Sequence, residues 1–129
     1  MKNMQEISIL GLIEAGFPAP ATEEVLDTMS LDEFLIEDKE ASYLLKVKGD
    51  SMIEAGIMPG DFVIVEKGRQ ARVGDIVVAL IDEEFTLKYL RIKNRKYYLE
   101  SANKKYKDII PKNELKIIAV VKAVVRKYA

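Results

Sequence analysis

From residue 42 onward the chain alternates short runs of β-forming residues with tight-turn punctuation. SYLLKVK (42–48), DFVIVEK (61–67), DIVVALID (75–82), EFTLKYLRI (84–92) and KYYLES (96–101) are too short for ordinary helices and rich in branched and aromatic side chains. Runs of this length and composition predict strands. Gly-Asp stands just ahead of a strand in both MPGD (58–61) and RVGD (72–75), as turn residues do. Asp82-Glu83, and KNR at 93–95, leave room only for hairpin connections. The unbroken apolar run at 75–82 predicts a strand buried on both faces. LKIIAVVKAVVRKY (115–128) is long enough for a helix, but its β-branched content favours one long strand. The expected fold is mainly β, a single small domain of strongly bent sheets or a partly open barrel.

Ahead of this region, ISILGLIEAG (7–16) reads as an extended apolar segment ending in Ala-Gly. Pro18 and Pro20 in FPAPATEE (17–24) exclude helix and favour extended backbone. Ser30 is a candidate N-cap for a short helical turn over LDEFLI (31–36).

The 129 residues contain neither cysteine nor histidine. Disulfides, thiol catalysis, zinc sites of the usual kind and a Ser-His-Asp triad are thereby excluded. An oxygen-only magnesium or calcium site stays open, but neither EF-hand spacing nor a Gly-rich phosphate loop is present. No metal or cofactor is expected. No run approaches the ~18 apolar residues of a membrane span, and MKNMQEISIL lacks a long apolar core for a signal peptide. The expected location is the cytoplasm, with no membrane partner. Residues 88–129 carry 13 Lys+Arg against 3 Asp+Glu, whereas residues 1–87 are strongly acidic. A basic patch for nucleic acid, two complementary halves, or solvated strand faces would each give this pattern. Neither a helix-turn-helix pattern nor an aromatic-rich RNA motif accompanies it.

The stretch VKGDSMIEAGIMPGD (47–61) raises the question of chemistry. Ser51 follows a strand and a glycine, and MIEAGI can form one helical turn ended by Gly56. Backbone N–H groups at such a junction are unpaired and can hold an oxyanion. A serine in this place also serves as a helix N-cap. Without histidine, the bases available to a serine nucleophile are carboxylates and a lysine whose pKa burial has lowered. Alternation in 84–92 places Thr86, Lys88, Leu90 and Ile92 on one face, and Phe85, Leu87, Tyr89 and Arg91 on the other. Lys88 is therefore the best candidate for a buried amine, although a strand lysine can also lay its stem along apolar surface.

Taken together and in order, LIEAGFPAPA, GDSM, GIMPGD and EFTLKYL resemble the LexA/UmuD family of self-cleaving Ser-Lys proteins. The resemblance runs from about residue 7 to residue 127, with the lysine 37 residues after the serine. It implies a LexA C-terminal-domain-like fold, with Ser51 as nucleophile and Lys88 as general base. It implies Ala15–Gly16 as the scissile bond and the backbone N–H groups of Asp50 and Ser51 as oxyanion donors. Residues 1–24 would carry the cleavage site and residues 25–129 the peptidase domain. The family further implies a homodimer formed partly through the C-terminal strand around 115–127. It also implies stimulation by a RecA–single-stranded-DNA filament in the SOS response to DNA damage. Two settings fit: the C-terminal domain of a LexA-type repressor, or a UmuD-like accessory subunit of a translesion DNA polymerase. Only 14 residues precede Ala15, so direct DNA binding by this chain is not expected.

Overall fold

The computed structural model describes residues 6–9 and 27–129. Its contacts divide the chain into two units, residues 1–37 and 38–129. In the first unit, β1 (Glu6–Ile9) pairs antiparallel with β2 (Asp27–Ser30), Ile7 opposite Met29. Helix α1 (Leu31–Leu35) follows at once. The Ser30 hydroxyl accepts the Glu33 N–H at 3.1 Å, the N-cap expected from the sequence, and Asp32 and Glu33 favour the positive helix start.

The second unit is one open antiparallel sheet of six strands. It comprises β3 (Ser42–Lys46), β4 (Phe62–Lys67), β5 (Ile76–Ile81), β6 (Glu84–Lys93), β7 (Lys96–Glu100) and β8 (Leu115–Val125). The spatial order is β3-β4-β8-β5-β6-β7. The mainly β architecture is the one expected. Two hairpins need backbone in the left-handed region: Asp82 and Glu83 have φ of 45° and 72°, Asn94 and Arg95 of 52° and 64°. Positive φ at both central residues matches the right-handed twist of the flanking strands. Asp82 also accepts the backbone N–H groups of Lys112, Asn113 and Glu114, which ties the approach to β8 onto this hairpin.

The long final strand lies inside the sheet, with β4 on one edge and β5 on the other. Its register slips twice. Val65 pairs with Val121 after Ile64 has paired with Ala123, so the register steps past Lys122, and Ile118 is passed over between Val78 and Ala79 of β5. Each extra residue bends the strand and increases its twist. β5, expected to be buried on both faces, is buried on one and half-buried on the other. Val77, Ala79 and Ile81 are buried in one core cluster with Leu90, Leu99 and Val120. Ile76 and Val78 pack against the other, built on Met52, Ile57, Val63, Val65, Ala102 and Ala119. That second cluster takes in residues on either side of Ser51 and so seats the segment between β3 and β4.

Candidate active site

Lys88 sits mid-strand in β6, opposite Val77, and only 7% of it is exposed. Its Nζ lies 2.9 Å from Ser51 Oγ, 2.9 Å from Thr86 Oγ1 and 3.1 Å from the Leu87 carbonyl. Among the described residues no carboxylate forms an ion pair with it. Burial without a counter-charge disfavours the ammonium, so the Lys88 pKa is lowered from the ordinary lysine value. The three neighbours suit the neutral amine. Nζ donates to Ser51 Oγ, Thr86 Oγ1 and the Leu87 carbonyl, and a neutral amine in this place could instead turn its lone pair to the Ser51 hydroxyl.

Ser51 is presented by a turn anchored on both sides. As the chain leaves β3, the Val47 N–H donates to the Asp61 carbonyl at 2.7 Å, and the Gly60 N–H to the Val47 carbonyl at 2.9 Å. Gly49 has φ of +85° with open space around a would-be Cβ. The demand for glycine there is conformational rather than steric. Met52, 2% exposed, is driven into the core, and its Sδ accepts the Ala102 N–H at 3.3 Å. A 3-10 turn over Ile53–Ala55 follows, ended by Gly56 at φ of +81°. Its N-cap residue is Met52, without a side-chain capping bond. The Ser51 hydroxyl is therefore spent on Lys88 and not on a cap.

Asp50 is held by the segment 103–106. Its carbonyl accepts from Asn103 Nδ2 at 2.8 Å. Its carboxylate accepts from the Tyr106 hydroxyl and pairs with Lys105 at 2.9 Å. The hydrogen bond from Tyr106, then that from Lys105, lowers the Asp50 pKa. Further round the loop, Asp61 is 3% exposed. It accepts the Met58 N–H at 2.7 Å and both Nε and Nη2 of Arg126 at 2.6 Å. The Arg126 hydrogen bond is the main reason its pKa falls to about 2. Arg126 also donates to the Gly56 carbonyl at 2.8 Å, so one side chain beyond β8 ties the end of the 3-10 turn to the residue before β4.

Ser51, Lys88 and Thr86 open onto a cleft of about 280 Å³ whose walls include Leu45, Val47 and Phe85. The Asp50 N–H faces its own carboxylate, while the Ser51 N–H has no backbone acceptor among the described residues. A serine hydroxyl on a buried amine, beside the Ser51 N–H in an apolar-walled cleft, is equipped for nucleophilic attack on a carbonyl. No group of metal-ligating side chains is present among the described residues. None of their helices is long and apolar enough to cross a membrane.

Of the residues singled out from the sequence, Ser51 and Lys88 are brought together and Asp50 adjoins them. Ala15 and Gly16 lie outside the described residues. Asn103, Tyr106 and the Asp61–Arg126 clamp were not foreseen, because each bridges 53 to 65 positions without a local pattern. Thr86 was visible only as a neighbour of Lys88 on the same face.

Residues 8–122 match the Peptidase S24-like family. The LexA repressor of Alcanivorax borkumensis is 40% identical over 123 residues, covering 95% of this chain and 60% of the repressor. That of Acetivibrio thermocellus is 40% identical over 126 residues, covering 98% of this chain and 59% of the repressor. That of an Anaeromyxobacter species is 46% identical over 98 residues, covering 76% and 42% respectively. The chain thus spans 42% to 60% of the length of these relatives. With the family matched across most of its length, this chain belongs to the Peptidase S24-like family.

Proposed function

We propose that the chain is a self-cleaving serine peptidase domain of the LexA type, cutting Ala15–Gly16 with a Ser51–Lys88 dyad. The observation that carries this reading is the 2.9 Å contact between Lys88 Nζ and Ser51 Oγ, made by a buried lysine with no carboxylate partner among the described residues. Lys88, neutral, takes the Ser51 proton as Oγ attacks the Ala15 carbonyl carbon. The charge developing on the carbonyl oxygen is met by the N–H groups of Asp50 and Ser51. The tetrahedral intermediate collapses with the C–N bond breaking, and the Lys88 ammonium returns its proton to the departing Gly16 amine. Water, deprotonated in turn by Lys88, then hydrolyses the acyl ester. Residues 1–24 supply the substrate segment and residues 25–129 the catalytic domain. Tethering gives the scissile bond a high effective concentration, so a modest dyad suffices.

The repressor name of the three relatives supports placing this cleavage in the control of transcriptional repression. In that setting a RecA–single-stranded-DNA filament stabilises the cleavage-competent state during the SOS response, and the domain acts as a homodimer. The same relatives favour this role over that of a UmuD-like polymerase subunit. Mass spectrometry of the purified chain after alkaline incubation tests the reaction. A fragment beginning at Gly16, absent from Ser51→Ala, is expected. No cut, even with a RecA filament present, or a cut elsewhere, contradicts it.

A further inference from the structure

Asn103 belongs to no strand, yet it is only 8% exposed, and both ends of its amide are committed. Oδ1 accepts the Lys105 N–H at 3.1 Å, and Nδ2 donates to the Asp50 carbonyl at 2.8 Å. The first bond dictates the second. A flipped amide would turn Nδ2 toward the Lys105 N–H and Oδ1 toward another oxygen. The turn carrying Asn103 is closed by the Tyr106 N–H on the Asn103 carbonyl at 3.1 Å. The same turn grips the Asp50 carboxylate through Tyr106 and Lys105. The Ile53 N–H also reaches the Asp50 carbonyl, but at 3.4 Å. Asn103 therefore supplies the stronger hold on this oxygen.

The Asp50 carbonyl and the Ser51 N–H belong to one peptide group. That group is planar, with C=O and N–H pointing to opposite sides. Whatever aims the carbonyl aims the N–H. We infer that Asn103 is a positioning residue for the oxyanion donor: by holding the Asp50 carbonyl on the core side it turns the Ser51 N–H toward the attacked carbonyl. This rests on the reading of Ser51 as nucleophile. A donor fixed before the reaction stabilises the developing charge without reorganisation, and loss of a single such donor costs about 100- to 1000-fold in rate. Misaiming a donor that remains present costs less, about 10- to 100-fold.

The test compares self-cleavage rates across pH in the full chain for wild type, Asn103→Asp and Asn103→Ala. The aspartate keeps the shape and the acceptor for Lys105 but loses the donor; the alanine adds no charge. Labelling of Ser51 by a fluorophosphonate runs in parallel, because it forms an Oγ–P bond with loss of fluoride and does not need the scissile segment. In both variants the high-pH plateau of cleavage and the labelling rate should fall about 10- to 100-fold. In Asn103→Ala the midpoint of the pH profile, set by Lys88, should stay in place. A plateau within about twofold of wild type in either folded variant overturns the inference, and so does a fall explained by a shifted midpoint. If Asn103→Ala fails to fold, Asn103→Asp decides. A wild type that labels at Ser51 but does not cut itself defeats the self-cleavage reading alone, and labelling then decides on Asn103. A wild type that neither cuts nor labels defeats both.

Discussion

Lys88 Nζ donates to Thr86 Oγ1 at 2.9 Å, from one residue of β6 to another on the same face two positions earlier. A lysine stem has four rotatable carbons, and this bond, with that to the Leu87 carbonyl, holds Nζ beside Ser51 Oγ. Thr86→Val keeps the shape and removes the acceptor. A hydrogen bond of this kind contributes about 0.5–1.5 kcal/mol. The plateau rate of self-cleavage should fall about 3- to 10-fold, and Thr86→Ser should restore most of it. Single-turnover rates at high pH check this; equal rates in Thr86→Val and wild type would remove Thr86 from the account.

The Asp61–Arg126 pair predicts how the fold responds to acid. The Asp61 pKa falls from 3.8 to about 2 on folding. Its contribution to stability is present above the unfolded value and is lost as pH drops from about 3.8 through about 2. Arg126→Met leaves a buried carboxylate without its partner. Thermal melts should show a lower midpoint for this variant at neutral pH and a smaller further loss between pH 4 and 2 than in wild type. Parallel curves for the two proteins would contradict the assignment.

Ser101 offers a contrast. Its Oγ is buried with no hydrogen-bond partner among the described residues. A buried unpaired hydroxyl is a cost, so Ser101→Ala should leave stability unchanged or raise it by up to about 1 kcal/mol. Urea unfolding measures this. A clear loss would mean that the hydroxyl is satisfied in solution.

The strands and the two candidate catalytic residues were legible because their signals are local. Period-two alternation alone puts Lys88 beside Thr86 and Leu90, and both Lys88 and Leu90 are buried. Run lengths alone place the hairpins, even though Glu83 and Arg95 stand where glycine is the usual choice. What holds the nucleophile turn was not legible. Asn103 and Tyr106 come from an irregular segment, and Arg126 lies just past the end of β8, in a run whose sequence reads only as strand. Their partners are set by the path of the chain and not by spacing. The register slips past Ile118 and Lys122 were equally hidden, since a bulge changes pairing without changing composition.

Burial of Lys88 has its own thermodynamic signature. The folded-state pKa is below the ordinary value of 10.5, so between those two values the unfolded chain binds more protons and stability rises with pH. The penalty is full below the folded pKa and is relieved toward 10.5. Lys88→Met keeps an unbranched stem and carries no charge. It should be inactive, at least as stable as wild type near neutral pH, and lose that advantage as pH rises. Chemical unfolding of both proteins between pH 7 and 10 is the check; an advantage that grows with pH would show that the amine is not penalised by burial.

The most direct test of the dyad is the pH dependence of intramolecular cleavage, followed by mass spectrometry in wild type, Ser51→Ala, Lys88→Ala and Lys88→Arg. The wild-type rate should rise with pH and level off, with its midpoint below the ordinary lysine value of ~10.4. None of the three variants should cleave, the arginine failing because a guanidinium stays protonated, while all three remain folded. Cleavage by Lys88→Ala at a rate comparable to wild type, or a wild-type rate independent of pH through this range, would show that another group takes the Ser51 proton.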